Sequence, residues 1–523
     1  MNDDDRLTRY LADQASALTL SPADPAAAVR RGNRRRNRRR GAIAGVAAVA
    51  VGAASFSVID RGEPDTKVDS SLSSAVVASP LDWTVVASEV GLGYSRATAL
   101  LDGSVYSLST APGPYNGESS FESRLYRSDD GAGWDEVTLP TGVRPSSLTA
   151  ADGTLYAIGT APAGGGGRDL VVAASTDGAA SWSKVTLPAD VAALEARHPG
   201  QIIISQPAVA ATDASHLVAT VVVTANPDVE ALLPGIADPN AGWEITPDGV
   251  TVYELAPCDS ADAPECSVMP GAPTTIVDGE SGAVRQAGDP EPMQPKVRDT
   301  YTWDELGLDP ELRALIGGQT YVYASDDGTN FEPARLPDGA TGWGGHVLAT
   351  DDGYRLFVGQ SGRDSATTQV LRSADGHTWV SAGSLPGSPQ AAGLLGGRPA
   401  VALFGFDGGV EVLIDRADGS WTPLDLIAAV DGADANAGIG EVAFGPLGVA
   451  ATVWTDDYSS GGHIVHSIDG STVSSIAVGD HIAEPGAVMG VSVSADAILV
   501  RVDSPNDDNS ETVPTQQVLV GTL

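Results

Sequence analysis

Ser373-Ala374-Asp375-Gly376-His377-Thr378-Trp379, followed at Leu385-Pro386 by a strand stop, decides how this chain folds. An apolar run, Val370-Leu371-Arg372, enters it. Asp-Gly then turns the chain, because glycine accepts positive φ and a short carboxylate accepts hydrogen bonds from the turn's own amides. The aromatic opens a returning strand, where a flat side chain packs well on a half-buried pleat. Proline ends that strand, since it cannot donate to a continuing ladder. The phrase is one β-hairpin.

It occurs four times. Ser128, Asp130, Gly131 and Trp134 precede Leu139-Pro140, and Ser175, Asp177, Gly178 and Trp182 precede Leu187-Pro188. Ser325, Asp327, Gly328 and Phe331 precede Leu336-Pro337, and Ser373, Asp375, Gly376 and Trp379 make the fourth copy. Two degenerate copies follow: Asp418-Gly419 with Trp421 lacks the serine, and Ser467-Ile468-Asp469-Gly470 has Val473 for the aromatic. Repetition at roughly 40–50 residues marks a propeller or a solenoid.

The phrase resembles the Asp-box, or BNR, repeat of sialidase-like β-propellers, Ser/Thr-x-Asp-x-Gly-x-Thr-Trp. In that family it turns the chain between the outer two strands of a blade. Trp182 stands at the full family spacing; the other three aromatics come one residue sooner. The resemblance implies an all-β propeller over residues 80–523, and structural boxes placed away from any catalytic face.

Seven inner-strand signals accompany the six boxes, among them Asp102-Gly103 before Val105–Leu108, Asp152-Gly153 before Leu155–Ile158, and Asp352-Gly353 before Leu356–Val358. Seven four-stranded blades reconcile the two numbers, with six or eight as alternatives. The seventh takes inner strands from about Val488 to Val502 and a third from Gln517–Val520. Its outermost strand comes from the other end of the chain, around Trp83–Val86, which closes the ring and removes an exposed edge. One blade carries a long insertion, about 226–318. It should contain a hairpin of Val250–Tyr253 with Thr275–Gly279, and a helix over Trp303–Ile316. Cys258 and Cys266 both fall inside it and read as one local disulfide of an exported loop. An insertion of this length carries recognition or is a decorative loop.

Outward of the repeats the chain changes character. Eight arginines lie between Arg30 and Arg40, and residues 41–59 carry no charge. Nineteen residues at ~1.5 Å rise span roughly 28 Å, near the thickness of a bilayer core. The reading is a cytoplasmic Arg-rich tail at 1–40, a single transmembrane helix at 41–59, a Ser-rich linker at 60–79, and a propeller outside the cell membrane. A cleaved signal peptide and a twin-arginine export signal are rival readings. The chain carries a net charge of −38, against +5 for residues 1–40. So acidic an outer domain repels nucleic acid and anionic lipid. Arginine over lysine, with abundant alanine and glycine, resembles actinobacterial envelope proteins.

Catalysis is harder to find. The sialidase resemblance implies three arginines gripping a carboxylate, a tyrosine activated by a glutamate, and an aspartate as acid/base. Arg96 and Arg144 lack the family's Arg-Ile-Pro phrase. Arg124, Arg168, Arg197, Arg355, Arg363 and Arg398 are scattered, and each reads as a solvated surface group. Seven histidines, His198, His216, His346, His377, His463, His466 and His481, form no ligand cluster at helical spacing. Gly164–Gly167 lacks the Lys-Ser/Thr of a phosphate loop. Asp503–Asn509 has carboxylates for calcium without the spacing of a calcium loop, so no cofactor is expected. The expectation is therefore a membrane-anchored recognition module for an extracellular or envelope ligand, protein or glycan. A sialidase-type glycoside hydrolase, and an envelope sensor signalling through residues 1–40, are the alternatives.

Overall fold

The computed structural model describes residues 74–87, 94–112, 121–129, 133–163, 167–233, 241–246, 248–254, 296–340, 342–361, 366–405, 409–416, 418–430, 437–454, 462–482, 487–493, 497–503 and 516–523. The tail 1–40, the span 41–59, Cys258, Cys266, Asp130, Gly131, Arg363 and residues 504–509 lie outside them. Among the described residues no helix is long and apolar enough to cross a membrane.

Seven sheets succeed one another among these residues, each with four antiparallel strands; one of them carries a fifth strand. Blade 1 is Tyr94–Leu101, Ser104–Pro112, Phe121–Ser128 and Asp135–Val137; blade 2 is Arg144–Ala151, Thr154–Pro162, Arg168–Ser175 and Ser183–Thr186. Blade 3 is Ile202–Ala211, Leu217–Ala225, Gln319–Ser325 and Glu332–Pro333. Blade 4 is Trp343–Thr350, Gly353–Ser361, Ala366–Ser373 and Val380–Pro386. Blade 5 is Ser388–Leu395, Arg398–Phe404, Val410–Asp415 and Trp421–Leu424. Blade 6 is Gly438–Gly445, Gly448–Trp454, His463–Ser467 and Thr472–Ala477. Blade 7 takes Ala487–Val493, Ala497–Asp503 and Gln516–Thr522, then Asp82–Ala87 from the other end of the chain, with Val85 opposite Leu519.

The first strand of each blade packs beside the first strand of the next, and that of blade 7 returns to blade 1. A closed ring of radial sheets is a β-propeller. Both faces of a blade are covered by its neighbours, so the second strands are largely buried; Leu217–Ala225 reads Leu-Val-Ala-Thr-Val-Val-Val-Thr-Ala with eight of nine residues buried. Core clusters span adjacent blades, such as Leu395 and Val412 of blade 5 with Val449 and Val465 of blade 6. Each buried aliphatic side chain contributes about 1.5–3 kcal/mol.

Three expectations need correction. Residues 74–79, read as linker, are not loose. Ala75–Val76 forms a parallel fifth strand on Thr472–Val473 of blade 6, and Ser79 is hydrogen-bonded to His466. In the insertion, Gly249–Glu254 sits between Ala241–Thr246 and Lys296–Thr302 in a three-stranded sheet, so its partners are not Thr275–Gly279. That sheet lies largely in a second compact unit, whose described residues are 241–245, 250–254 and 296–300. The expected helix over Trp303–Ile316 shrinks to Pro310–Arg313. Gly307 in the left-handed region (φ 68°) and Pro310 break it, and Asp309 caps the remainder by accepting from the Glu311 amide at 2.8 Å.

Candidate functional site

The repeat residues build the lower end of the ring, opposite the end where first strands begin. In blade 2 the Asp177 carboxylate accepts from Ser181 Oγ (2.5 Å), the Ser181 amide (2.9 Å) and Ser175 Oγ (2.8 Å), which hold its pKa down at about 2. Asp327 accepts from the Thr329 and Asn330 amides, and Asp375 from those of His377 and Thr378. The degenerate copies do the same: Asp418 accepts from the Ser420 amide, and Asp469 from those of Ser471 and Thr472.

Their neighbours join blades. A Cβ on Gly376 of blade 4 would lie 2.6 Å from Val218 of blade 3. Trp182 Nε1 of blade 2 donates to the Thr138 carbonyl beyond blade 1, at 2.8 Å. Trp379 is buried against Tyr354, and Phe331 is buried as well. Ser128 and Ser325 are buried too, and Gly328 turns at φ 72°. These groups hold each other.

The other end differs. Every first strand is interrupted by a register shift near its start: at Ser95/Ala97, Pro145/Ser147, Ser205/Ala208, Trp343/His346, Pro389/Ala391, Ile439/Val442 and Val488/Gly490. A bulge inserts backbone, bends the strand and re-aims a side chain. Seven bulges at one level make an irregular upper rim around the central channel. No sequence motif announces them.

At the seam where blade 7 meets blade 1 the rim opens into a cavity of about 210 Å³, lined in part by Thr98, Trp134, Glu441, Gly490, Ser492 and Arg501. Arg501 sits in the second strand of blade 7 opposite Gly490 and is 8% exposed. Glu441 comes from the blade 6 bulge, its amide bonded to Thr452 Oγ1 at 3.0 Å. Both charges lie over Gly490: a Cβ there would lie 3.6 Å from Glu441 Oε2 and 3.7 Å from Arg501 Nη2, in ordinary contact with each. The Glu441 side chain is exposed at the mouth of the cavity, and the protein atoms packed around its carboxyl displace enough water to raise it above the usual glutamate range even though Arg501 pulls it down. Trp134 Nε1 is buried in the wall and has no acceptor, so a ligand oxygen at that spot would satisfy it.

Among the described side chains, the arginines named from the sialidase resemblance are engaged at separate places. Arg124 pairs with Glu136 (3.6 Å), Arg168 with Glu195 (2.7 Å), Arg197 with Glu311 (2.6 Å) and Arg355 with Asp352 (2.9 Å). Arg398 reaches the Asp469 carbonyl. Tyr321 lies in the field of Glu311, but that carboxylate is clamped by Arg197 and His198 and held at about 2, which leaves it no strength as a base. His216 pairs with Asp213 and His377 with Asp326; His346 and His466 are kept neutral by burial, each at about 4. Among the described residues no three His, Cys, Asp or Glu side chains gather as metal ligands.

No family model matches the chain, and no characterised protein matches it in sequence. Among solved structures it is similar to a GH74 xyloglucanase from Xanthomonas campestris (15% identity, TM-score 0.39, 84% of this chain and 55% of that one). A Hadza microbial sialidase gives 14% and 0.36 over 77% and 74% of the two chains. A Trypanosoma rangeli sialidase solved with sialic acid gives 12% and 0.33 over 81% and 59%. The chain spans about half the length of the xyloglucanase. At these scores we take the fold from the sheet topology and nothing further from the likenesses.

Proposed function

We propose that the ring is an extracytoplasmic recognition module, tethered by residues 41–59, that binds the terminal unit of a polar ligand, a glycan, in the cavity of blades 6, 7 and 1. The observation that carries this is the placement of Glu441 and Arg501 over Gly490, beside an indole N–H without an acceptor. A carboxylate acceptor, guanidinium donors and the hydroxyls of Thr98 and Ser492 suit an alternation of ligand hydroxyls. The volume lies below the ~300–1,000 Å³ of drug-sized pockets, which suits a single ring.

Hydrolysis is the second reading. It requires two carboxyl groups flanking one bond, about 5–10 Å apart. The described lining of this cavity supplies one, Glu441, which lies in the field of Arg501. Recognition is therefore preferred.

Titration of the full-length protein with a glycan identified on an array, beside hydrolysis of a fluorogenic sialoside, tests both readings. Glu441→Gln should weaken binding at least about tenfold, or ~1.4 kcal/mol, with an unchanged unfolding midpoint. Because the folded pKa of Glu441 is raised, wild-type affinity should fall on acidification at a higher pH than an ordinary glutamate, ~4.3, would give. Binding indifferent to Glu441→Gln would remove the cavity from consideration. Turnover abolished by the same variant would establish the hydrolase instead.

A further inference from the structure

Trp454 and Phe404 are each 43% exposed, unusual for the largest apolar side chains. Single exposed aromatics mean little. These two occupy the same place in neighbouring blades: Trp454 pairs with Gly438, the first residue of blade 6, and Phe404 with Ser388, the first residue of blade 5. At that register the other blades carry Thr110, Thr160, Ala225, Gly359 and Asp503. The aromatics are thus confined to two adjacent blades at the upper rim.

One of them is tied to the cavity. A Cβ on Gly440 would lie 2.5 Å from Trp454 Cζ2 and 2.9 Å from Cη2, so the indole lies directly on the backbone of Gly440. The next residue is Glu441. Two glycines seat this ring, since Gly462 lies on its other end, 3.8 Å from Cδ1 by the same measure. A side chain at Gly440 would displace the indole. The ring is held in place while its remaining surface faces solvent.

We infer that Trp454 and Phe404 form a shelf along which a neutral oligosaccharide leaves the Glu441 cavity, its sugar rings lying on the aromatic faces. This rests on the reading of that cavity as the site of the terminal unit. Sugar rings present apolar C–H faces and hydroxyl edges, which match an aromatic surface leading to a hydroxyl-lined cavity. Charge selects the neutral kind. The chain is −38 overall and a carboxylate stands at the junction of shelf and cavity, so acidic polysaccharides are repelled.

The full-length protein is first applied to an array of neutral and sialylated glycans, and then titrated with one to six units of a neutral ligand found there. Affinity should rise with length over the first three or four units. Trp454→Ala should cost about tenfold for the longer ligands and little for the single sugar. Trp454→Phe should keep most of the length dependence, which controls for damage to the fold. Glu441→Gln should weaken every length. Length-independent binding that Glu441→Gln still weakens would overturn the shelf and leave the cavity standing. Binding of sialylated glycans alone would overturn the shelf's neutrality, and no binding to any neutral glycan would overturn the inference itself.

Discussion

Gly376 shows how much one residue of the repeat does. It sits at φ 78°, where an L side chain is strained, and its missing Cβ is the space that Val218 of the preceding blade fills. Gly376→Ala therefore combines backbone strain with overpacking, at about 2–4 kcal/mol; urea unfolding should show the shift in midpoint. Beside it, Asp375 is held below the usual aspartate range by the Thr378 amide, Ser373 and the His377 amide. A depressed carboxyl contributes stability above its unfolded pKa of ~3.9, and that stability is lost as pH falls below it. The turn residues were legible because backbone geometry demands particular types. The cavity residues were not: Arg501 stands within Val500-Arg501-Val502, an ordinary strand alternation, and nothing adjacent marks it as a neighbour of Glu441. Glu441 itself lies within the register shift of blade 6, which no local composition announces.

Among the elements, the segment from Ser74 to Ala87 departs most from its expected role. Ser74 Oγ accepts from the Asp425 amide, Val77 donates to the Val473 carbonyl, and the Asp82–Ala87 strand then completes blade 7. Between these points lies a latch. Ser79 Oγ accepts from the Leu81 amide and from Trp83 Nε1, both at 3.2 Å, and bonds His466 Nε2 at 3.0 Å. With two acceptor positions filled, its hydroxyl donates to the imidazole, which must be neutral. His466 is 1% exposed and its Nδ1 has no partner. Burial lowers its pKa to about 4, against ~6.5 when released. The released form thus binds more protons in between, and stability falls as pH drops from ~6.5 through about 4, by on the order of 3 kcal/mol in all. Urea midpoints at pH 7.5 and 5 should differ for the wild type and differ by less for His466→Gln, the remainder coming from the other buried imidazole, His346. A Ser-rich composition looks like linker because it says nothing of a buried histidine nearly four hundred residues away.

At the scale of the molecule, the ring depends on its ends. The shared blade 7 was readable, since seven inner-strand signals stood against six boxes and Trp83–Val86 alternated like a strand. The rim was not, because bulges follow from how seven sheets fit around a channel rather than from any local composition. A chain beginning at Ser74 should unfold in one cooperative transition. One beginning at residue 88 should lose the outer strand of blade 7, melt earlier and expose the edge of Gln516–Thr522; calorimetry distinguishes them. The same closure governs how the protein is made. More than four hundred residues separate Ala87 from Gln516, so at ~5–20 residues per second the ribosome needs about 20 to 90 s to deliver the partner of Asp82–Ala87. Through that interval Asp82–Ala87 waits unpaired, and the circle cannot close before Gln516–Thr522 has been made. Biogenesis must keep that strand from mispairing until its partner arrives.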